Sequence, residues 1–373
     1  MNACVRAFLA AAAALLALFV ALPVIVSTAA FYLFASVIRR LNALLDPKVV
    51  SWKELIAFDP LIGWKPKPGI NAYCAAELTG APFHVVTDAE GWPGTASVAA
   101  SQIVVFGDSF AFGYAIDARS AFSQRRSAVS IKAIGAPGYN MAQELLLMRR
   151  YAEQLRGKLV VWFIYYGNDL WENLQPNMQD YRTPFVRSVN GTGDWEIVSN
   201  HVNGARWWPY RWDDPLRANE RFAGVFGSTF LTRRIYSACE FLITTGKNVC
   251  DEAGARLAVV SIPITLQLSS EQWQRRLSRL TRDSTLDANA PDRRIAGICS
   301  KLAIRFFAGK DLLNSEDYIP TEGHWNDRGH QRIATLLASL YQERVRDASE
   351  SNLTMTEHLA EAIPSDLNRS SIA

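Results

Sequence analysis

The chain has 373 residues, is 49% apolar and 20% charged, and carries a net charge of +3. It can bury a core, and its length suffices for one large α/β domain with insertions or for two small ones. No Lys/Arg block stands out, so nucleic-acid binding has no electrostatic support.

The N-terminal segment, residues 1–40, comes first. From Ala7 to Ile38 it is almost wholly apolar, flanked by Arg6 and by Arg39-Arg40, with Pro23 inside. A helix of this length spans about 48 Å, more than the roughly 30 Å hydrocarbon core of a bilayer. Two readings stand: an uncleaved signal-anchor helix, or a signal peptide cut near Ser27-Thr-Ala29-Ala30. Cleavage leaves Phe31 to Ile38 as an apolar stub that needs burial, which favours the anchor. The basic flanks nearly balance, so orientation rests on the signal-like start, which places the rest of the chain outside the cytoplasm. Membrane anchorage by this single helix is therefore expected.

Residues 41–100 read as a connector and N-terminal extension. Asp46-Pro, Asp59-Pro and Pro66-Lys-Pro68 break regular structure up to Pro68. Ile62-Gly-Trp64 reads as an extended piece, and His84 to Thr87 followed by Asp88 to Gly91 as a strand and turn.

The core, residues 101–348, opens with a β-branched run from Ile103 to Phe106 that stops at Gly107-Asp108-Ser109. Such a run predicts a buried parallel strand, and α/β proteins place their chemistry at the end of such strands. A serine there sits on a tight turn, with the N-terminus of the following helix aimed at it. Ser130 to Ile134 predicts a second strand ending at Gly135. Met141 to Leu155 has helical spacing, with Asn140 as its cap. Leu159 to Tyr165 predicts a third strand, ending at Gly167-Asn168-Asp169. Arg256 to Ile262 predicts a fourth, and Ile304 to Phe307 a fifth after a helical Arg293 to Ala303. Asp327 to Arg344 predicts a final amphipathic helix. Strands alternating with helices predict a mainly parallel sheet of five strands with right-handed crossovers.

Between about 170 and 250 the pattern dissolves into aromatics and turns, including Trp207-Trp-Pro-Tyr-Arg-Trp212. This aromatic-rich insertion lies beside Asn168, either as a substrate lid or as a structural excursion. Residues 349–373 read as a flexible polar tail.

Four short blocks carry the chemistry: Gly107-Asp108-Ser109, Gly135-Ala-Pro-Gly138, Gly167-Asn168-Asp169 and Glu322-Gly-His324-Trp325. A serine hydroxyl attacks only when a base accepts its proton. A histidine does so near neutral pH, with a third group fixing its tautomer. The oxyanion that forms needs hydrogen-bond donors placed beforehand.

In this order the blocks resemble those of the SGNH (GDSL-type) hydrolase superfamily, over roughly Ile103 to Ala338. The resemblance implies a three-layer α/β/α, flavodoxin-like fold. It also implies Ser109 as nucleophile and His324 as base, with an oxyanion hole from Gly138 N–H, the Asn168 amide and Ser109 N–H. The common pattern has aspartate three residues before the histidine, where this chain has Thr321. Glu322, two before it, is similar to the Asp-x-His-Trp arrangement of alginate O-acetyltransferase-like members, with Glu for Asp. Glu322 is accordingly the candidate third member; a Ser-His dyad oriented by a backbone carbonyl is the alternative.

Asp108 and Asp169 read as supporting hydrogen-bond partners, and His330 as a packed residue of the last helix. Gly113 and Gly135 read as backbone-conformation glycines. The expected activity is hydrolysis of an ester carried by a small molecule, a lipid or an acylated glycan, without metal or organic cofactor. An O-acyltransferase and a catalytically silent carbohydrate-binding or assembly protein are the alternatives. The cysteines Cys4, Cys74, Cys239, Cys250 and Cys299 form no CxxC pair and no Cys/His cluster, which speaks against zinc. A Cys239–Cys250 disulfide and free thiols are both compatible with the sequence.

Overall fold

The computed structural model of the chain describes residues 49–178, 181–189, 193–200, 202, 215–279 and 286–361, with six scattered positions between 26 and 37. It comprises two units, Met1–Val50 and Ser51–Ala373. In the first, the described positions Val26, Ser27, Ala30, Leu33, Phe34 and Val37 are helical. Most of the apolar run from Ala7 to Ile38 lies outside the described residues, as does the expected anchor. Among the described residues no helix is long and apolar enough to cross a membrane.

The second unit is organised by five parallel strands: β1 (Ile103–Gly107), β2 (Ile131–Gly135), β3 (Leu159–Tyr165), β4 (Arg256–Ile262) and β5 (Arg305–Ala308). Their spatial order is β2-β1-β3-β4-β5. This is the doubly wound, flavodoxin-like order, whose direction of winding reverses between β1 and β3. Register is set by pairs such as Val105 with Ala133 and Val161, and Val259 with Trp162 and Phe306.

Helices cover both faces, which is why β1 and β3 are apolar at nearly every position. The first helix after β1, α1 (Ser109–Phe112), is a single turn. On one face lie α2 (Met141–Arg150), the 24-residue α3 (Phe230–Ala253) and α4 (Ala290–Lys301). Trp162 points there: its indole N–H donates to Glu144 of α2, and Gly246 leaves room for its ring on α3. The other face is covered by α5 (Asp327–Glu361), whose Ile333, Leu337 and Leu340 join Ile103, Val105, Val161, Phe163 and Val260 in one core.

Two boundaries differ from the sequence reading. The long helix α3 falls inside the stretch read as an insertion, but it is the crossover between β3 and β4. It buries Ile235, Cys239, Leu242, Ile243 and Cys250. Its apolar spacing is interrupted by Thr, Ser, Lys and Asn, which masked the period. The irregular stretch therefore ends at Thr229, the cap of α3. What precedes it includes a hairpin of Phe185–Val189 with Asp194–Val198. Trp207 to Trp212 lies outside the described residues. The last helix runs beyond Arg344 to Glu361, into the segment read as a flexible tail.

The extension before β1 also differs from a connector. Ile56–Asp59 pairs with Gly63–Pro66, and Asn71–Ala75 with Pro82–Val86, both antiparallel. Trp64, Trp92, Ile62 and Cys74 are fully buried. Pro66 ends its strand and Pro60 follows the end of another, so neither interrupts a ladder, whereas Pro47 lies outside the described residues. Cys74, Cys239, Cys250 and Cys299 are buried free thiols, and Cys4 lies outside the described residues.

Candidate active site

Strands β1, β2 and β3 end in the loops that carry Ser109, Gly138 and Asn168, and His324 comes from the loop before α5. β1 ends at Gly107, and Asp108 caps α1 by accepting the Phe110 N–H on Oδ1 at 3.0 Å. Gly113 then closes the turn in the left-handed region at φ 77°. Gly135 at the end of β2 is required by closeness instead, because a Cβ there would meet the Gly107 carbonyl at 2.2 Å. With α1 only four residues long, a helix dipole at Ser109 is small, contrary to the reading of a full helix. Ser109 is held by local turn geometry.

The hydroxyl of Ser109 lies 2.9 Å from Nε2 of His324, across 215 residues of sequence. It also lies 3.2 Å from Asp108 Oδ2. His324 stands on a short loop closed by the Tyr318–Trp325 bridge and by the Ile319 N–H donating to the His324 carbonyl at 2.7 Å. Thr321 has φ 70° and Gly323 φ 76° in this loop. The imidazole packs between the rings of Phe110 and Tyr114, each 5.0 Å away by centroid. Burial lowers its pKa to about 4, opposed by the backbone carbonyl of Glu322. His324 is therefore neutral at physiological pH and available as a proton acceptor.

Glu322 is placed beside it but not in hydrogen-bond contact. Its Oε1 is 3.8 Å from Nδ1 of His324, and Nδ1 has no hydrogen-bond partner. The other carboxylate oxygen, Oε2, accepts the N–H of Thr79 at 3.2 Å.

The expected oxyanion donors lie on adjacent loops. Gly138 has φ 83°, and the Asn168 amide donates to the carbonyl of the next residue, Tyr139, at 3.4 Å. The Asn168 side chain thus reaches the Gly138 loop. The Ser109 N–H stabilises the ionised form of Asp108, an interaction the sequence did not suggest.

Asp108, Glu144, Asp169 and Glu172 are all buried around this point. Burial pushes Asp108 up to about 6, against the Phe110 N–H and the Ser109 hydroxyl. It pushes Glu172 up to about 8, against the Arg221 charge. Glu144 and Asp169 are raised well above the usual carboxyl range, by burial first and by neighbouring carboxyls second. Asp169 Oδ2 accepts the Tyr165 N–H at 2.6 Å, which ties the Asn168 turn to the end of β3. The raised pKa values of Glu144, Asp169 and Glu172 reduce the negative charge carried in this buried region.

The sequence missed Thr79, Tyr114, Tyr139, Glu144 and Glu172. Tyr139 lies between Gly138 of the second block and the cap Asn140, where the sequence assigns it no role; the others lie in no motif and reach the site through packing. His330 is buried as expected; its Nδ1 accepts the Phe122 N–H at 3.3 Å, and its ring stacks on Phe122. His84 bonds Asn71, and His201 lies outside the described residues. Among the described residues no His/Cys/Asp/Glu group is arranged to hold a metal ion.

No family model matches the chain, and no curated protein does. Solved structures it matches include acylhydrolases, esterases and a lipase. One is a carbohydrate acetylesterase from Sinorhizobium meliloti, at 10% identity and a TM-score of 0.35, covering 65% of this chain and 98% of the other. Another is an extracellular lipase from Streptomyces rimosus, at 14% identity and a TM-score of 0.35, covering 64% and 99%. A third is a psychrotrophic esterase from Pseudoalteromonas sp., at 11% identity and a TM-score of 0.32, covering 68% and 98%. Likenesses this distant carry no chemistry; that rests on the residues themselves.

Proposed function

We propose that the chain is an α/β serine hydrolase of the SGNH type. Its particular activity is that of an esterase working through an acyl-Ser109 intermediate. The observation that carries this reading is the 2.9 Å contact between Ser109 Oγ and His324 Nε2 at the reversal point of the sheet. Neutral His324 accepts the Ser109 proton as Oγ attacks the ester carbonyl. Gly138 N–H, the Asn168 amide and Ser109 N–H receive the oxyanion. Ser109 N–H turns to this task as it leaves Asp108. His324 then protonates the leaving alcohol, and in the second half activates the water that releases the acid. Glu322 orients His324 by accepting its Nδ1–H once the 3.8 Å gap closes, since such contacts are often loose before substrate binds.

The substrate class is an ester on a small molecule, a lipid or an acylated glycan, such as an O-acetyl group of an envelope polysaccharide. The apolar run from Ala7 to Ile38 supports anchorage to a membrane, with the catalytic unit on the extracytoplasmic side.

A panel of p-nitrophenyl esters, with wild type beside Ser109→Ala, tests the reading. Hydrolysis and fluorophosphonate labelling are expected in wild type and absent from the variant. Labelling that survives Ser109→Ala rejects it by placing the nucleophile elsewhere; no labelling at all rejects it and leaves a silent binding protein. An acyltransferase uses the same residues with a sugar hydroxyl in place of water. Net transfer to a glycan, rather than release of free acid from the same donor, selects that reading.

A further inference from the structure

We infer that the hairpin Asn71–Val86, outside the α/β core, is part of the catalytic apparatus: the peptide N–H of Thr79 fixes the carboxylate of Glu322 toward His324. The inference rests on the proposed roles of His324 and Glu322.

A carboxylate taken out of water needs hydrogen-bond donors. The Glu322 side chain is 2% exposed. Its Oε2 accepts the N–H of Thr79, a residue 243 positions earlier in the chain. With that oxygen anchored, Oε1 is left on the side of His324 Nδ1. One carboxylate thus bridges a fixed donor and the imidazole.

Glutamate needs such an anchor more than aspartate does. Its extra methylene adds a rotatable bond, so its carboxylate has more places to go. Left-handed backbone flanks it at Thr321 and Gly323, and the donor its carboxylate finds is not in this loop. The donor therefore comes from elsewhere in the fold.

The hairpin is itself fixed against the site. Its buried Phe83 packs edge-on against Tyr114 at 5.1 Å. The Glu77 N–H donates to the Tyr114 hydroxyl at 2.9 Å, and the Tyr114 ring lies against His324. The Ala76–Ala81 turn is closed by the Gly80 N–H to the Ala76 carbonyl and the Ala76 N–H to the Ala81 carbonyl. Thr79 and Tyr114 thus connect one rigid turn to both members of the acid–base pair. Thr79 is a positioning residue acting through its backbone.

The test removes that N–H alone. Replacing the Thr79 residue by its α-hydroxy acid turns the amide into an ester and leaves the side chain in place; Thr79→Pro removes the same donor genetically. The same ester at exposed Leu78 is the control. Two quantities are read on the full chain: the pKa of His324 by 15N NMR of its imidazole, assigned with His324→Ala, and kcat and KM on a p-nitrophenyl ester. The imidazole faces Glu322, Tyr114 and Ser109-Asp108, with His330 behind Trp325, and all of these remain in every positioning variant.

Loss of the Thr79 donor is expected to lower the His324 pKa, because the anion is no longer held beside it. It is expected to lower kcat roughly tenfold with KM unchanged, since a misplacement of about 1 Å costs up to about 100-fold. In a Glu322→Gln background the Thr79 ester is expected to have no further effect. A His324 titration identical to wild type, an equal change from the Leu78 ester, or a full loss on top of Glu322→Gln overturns the inference. The NMR reading does not depend on turnover. A shifted His324 with an unlabelled Ser109 keeps the positioning role and rejects the esterase; a labelled Ser109 with an unmoved His324 does the reverse.

Discussion

The two halves of the proposed catalytic pair, Ser109 and His324, are built differently. The Ser109 turn is assembled almost entirely from its own neighbours: Asp108 caps it, Gly113 closes it, and β1 holds it from below. The His324 loop contains a non-glycine residue at φ 70°, and its imidazole is shaped by Phe110, Tyr114 and, through Glu322, by Thr79. The nucleophile is thus set by local backbone, whereas the base is set by the rest of the fold. Damage far from the chemistry should therefore reach the histidine more easily than the serine.

The largest expected effect tests whether the serine is the reacting group at all. Ser109→Ala should lower kcat by about 10⁴-fold or more and abolish fluorophosphonate labelling, with an unchanged melting temperature. Next comes Asn168→Ala, expected to lower kcat by about 10²–10³-fold with little change in KM, because the lost amide acts on the oxyanion. Steady-state kinetics on a p-nitrophenyl ester reads both.

Glu322→Gln sharpens the comparison on the base side. It should lower kcat by roughly 100-fold, less than the about 10⁴-fold seen where a fully formed triad loses its acid, because the resting contact to Nδ1 is open. A loss under about threefold would leave His324 working as a dyad with Ser109.

The pH profile follows from burial of the same ring. A histidine whose pKa is lowered to about 4 is deprotonated, and so competent, above that pH. The acid limb of kcat/KM should fall as pH drops through about 4, well below the ordinary histidine range. An acid limb near 6.5 would mean that the ring is hydrated in the working enzyme.

The smallest effect concerns the strained loop. Thr321→Gly removes a β-branched residue from the left-handed region, where the strain is of order 1 kcal/mol, partly offset by the greater freedom of glycine in the unfolded chain. A melting temperature raised by a degree or two, read by calorimetry, is the expected outcome; a lowered one would show that Thr321 makes contacts worth more than the strain.

The contrast also explains what could be read in advance. Strands β1 and β3 follow from nearly unbroken apolar runs, because burial on both faces leaves no polar position to blur them, and β4 is apolar apart from Arg256 and Ser261. The α3 helix was obscured because its polar residues interrupt the apolar repeat. The extension before β1 looked like a connector because prolines dominate it locally. Its Trp64 and Trp92 pack against Tyr139, Tyr151 and Tyr181, far along the chain.

The sequence alone determined the parallel strands and the side chains placed at their ends, since hydrophobic period and turn chemistry act over a few residues. It also named Ser109 and His324 as the reactive types. Only the tertiary structure decided that the hydroxyl and the imidazole meet at 2.9 Å, that burial keeps the imidazole neutral, and that a backbone N–H from Thr79 holds the neighbouring acid. Those are properties of chain-distant packing and of exclusion from water, and no local pattern encodes either.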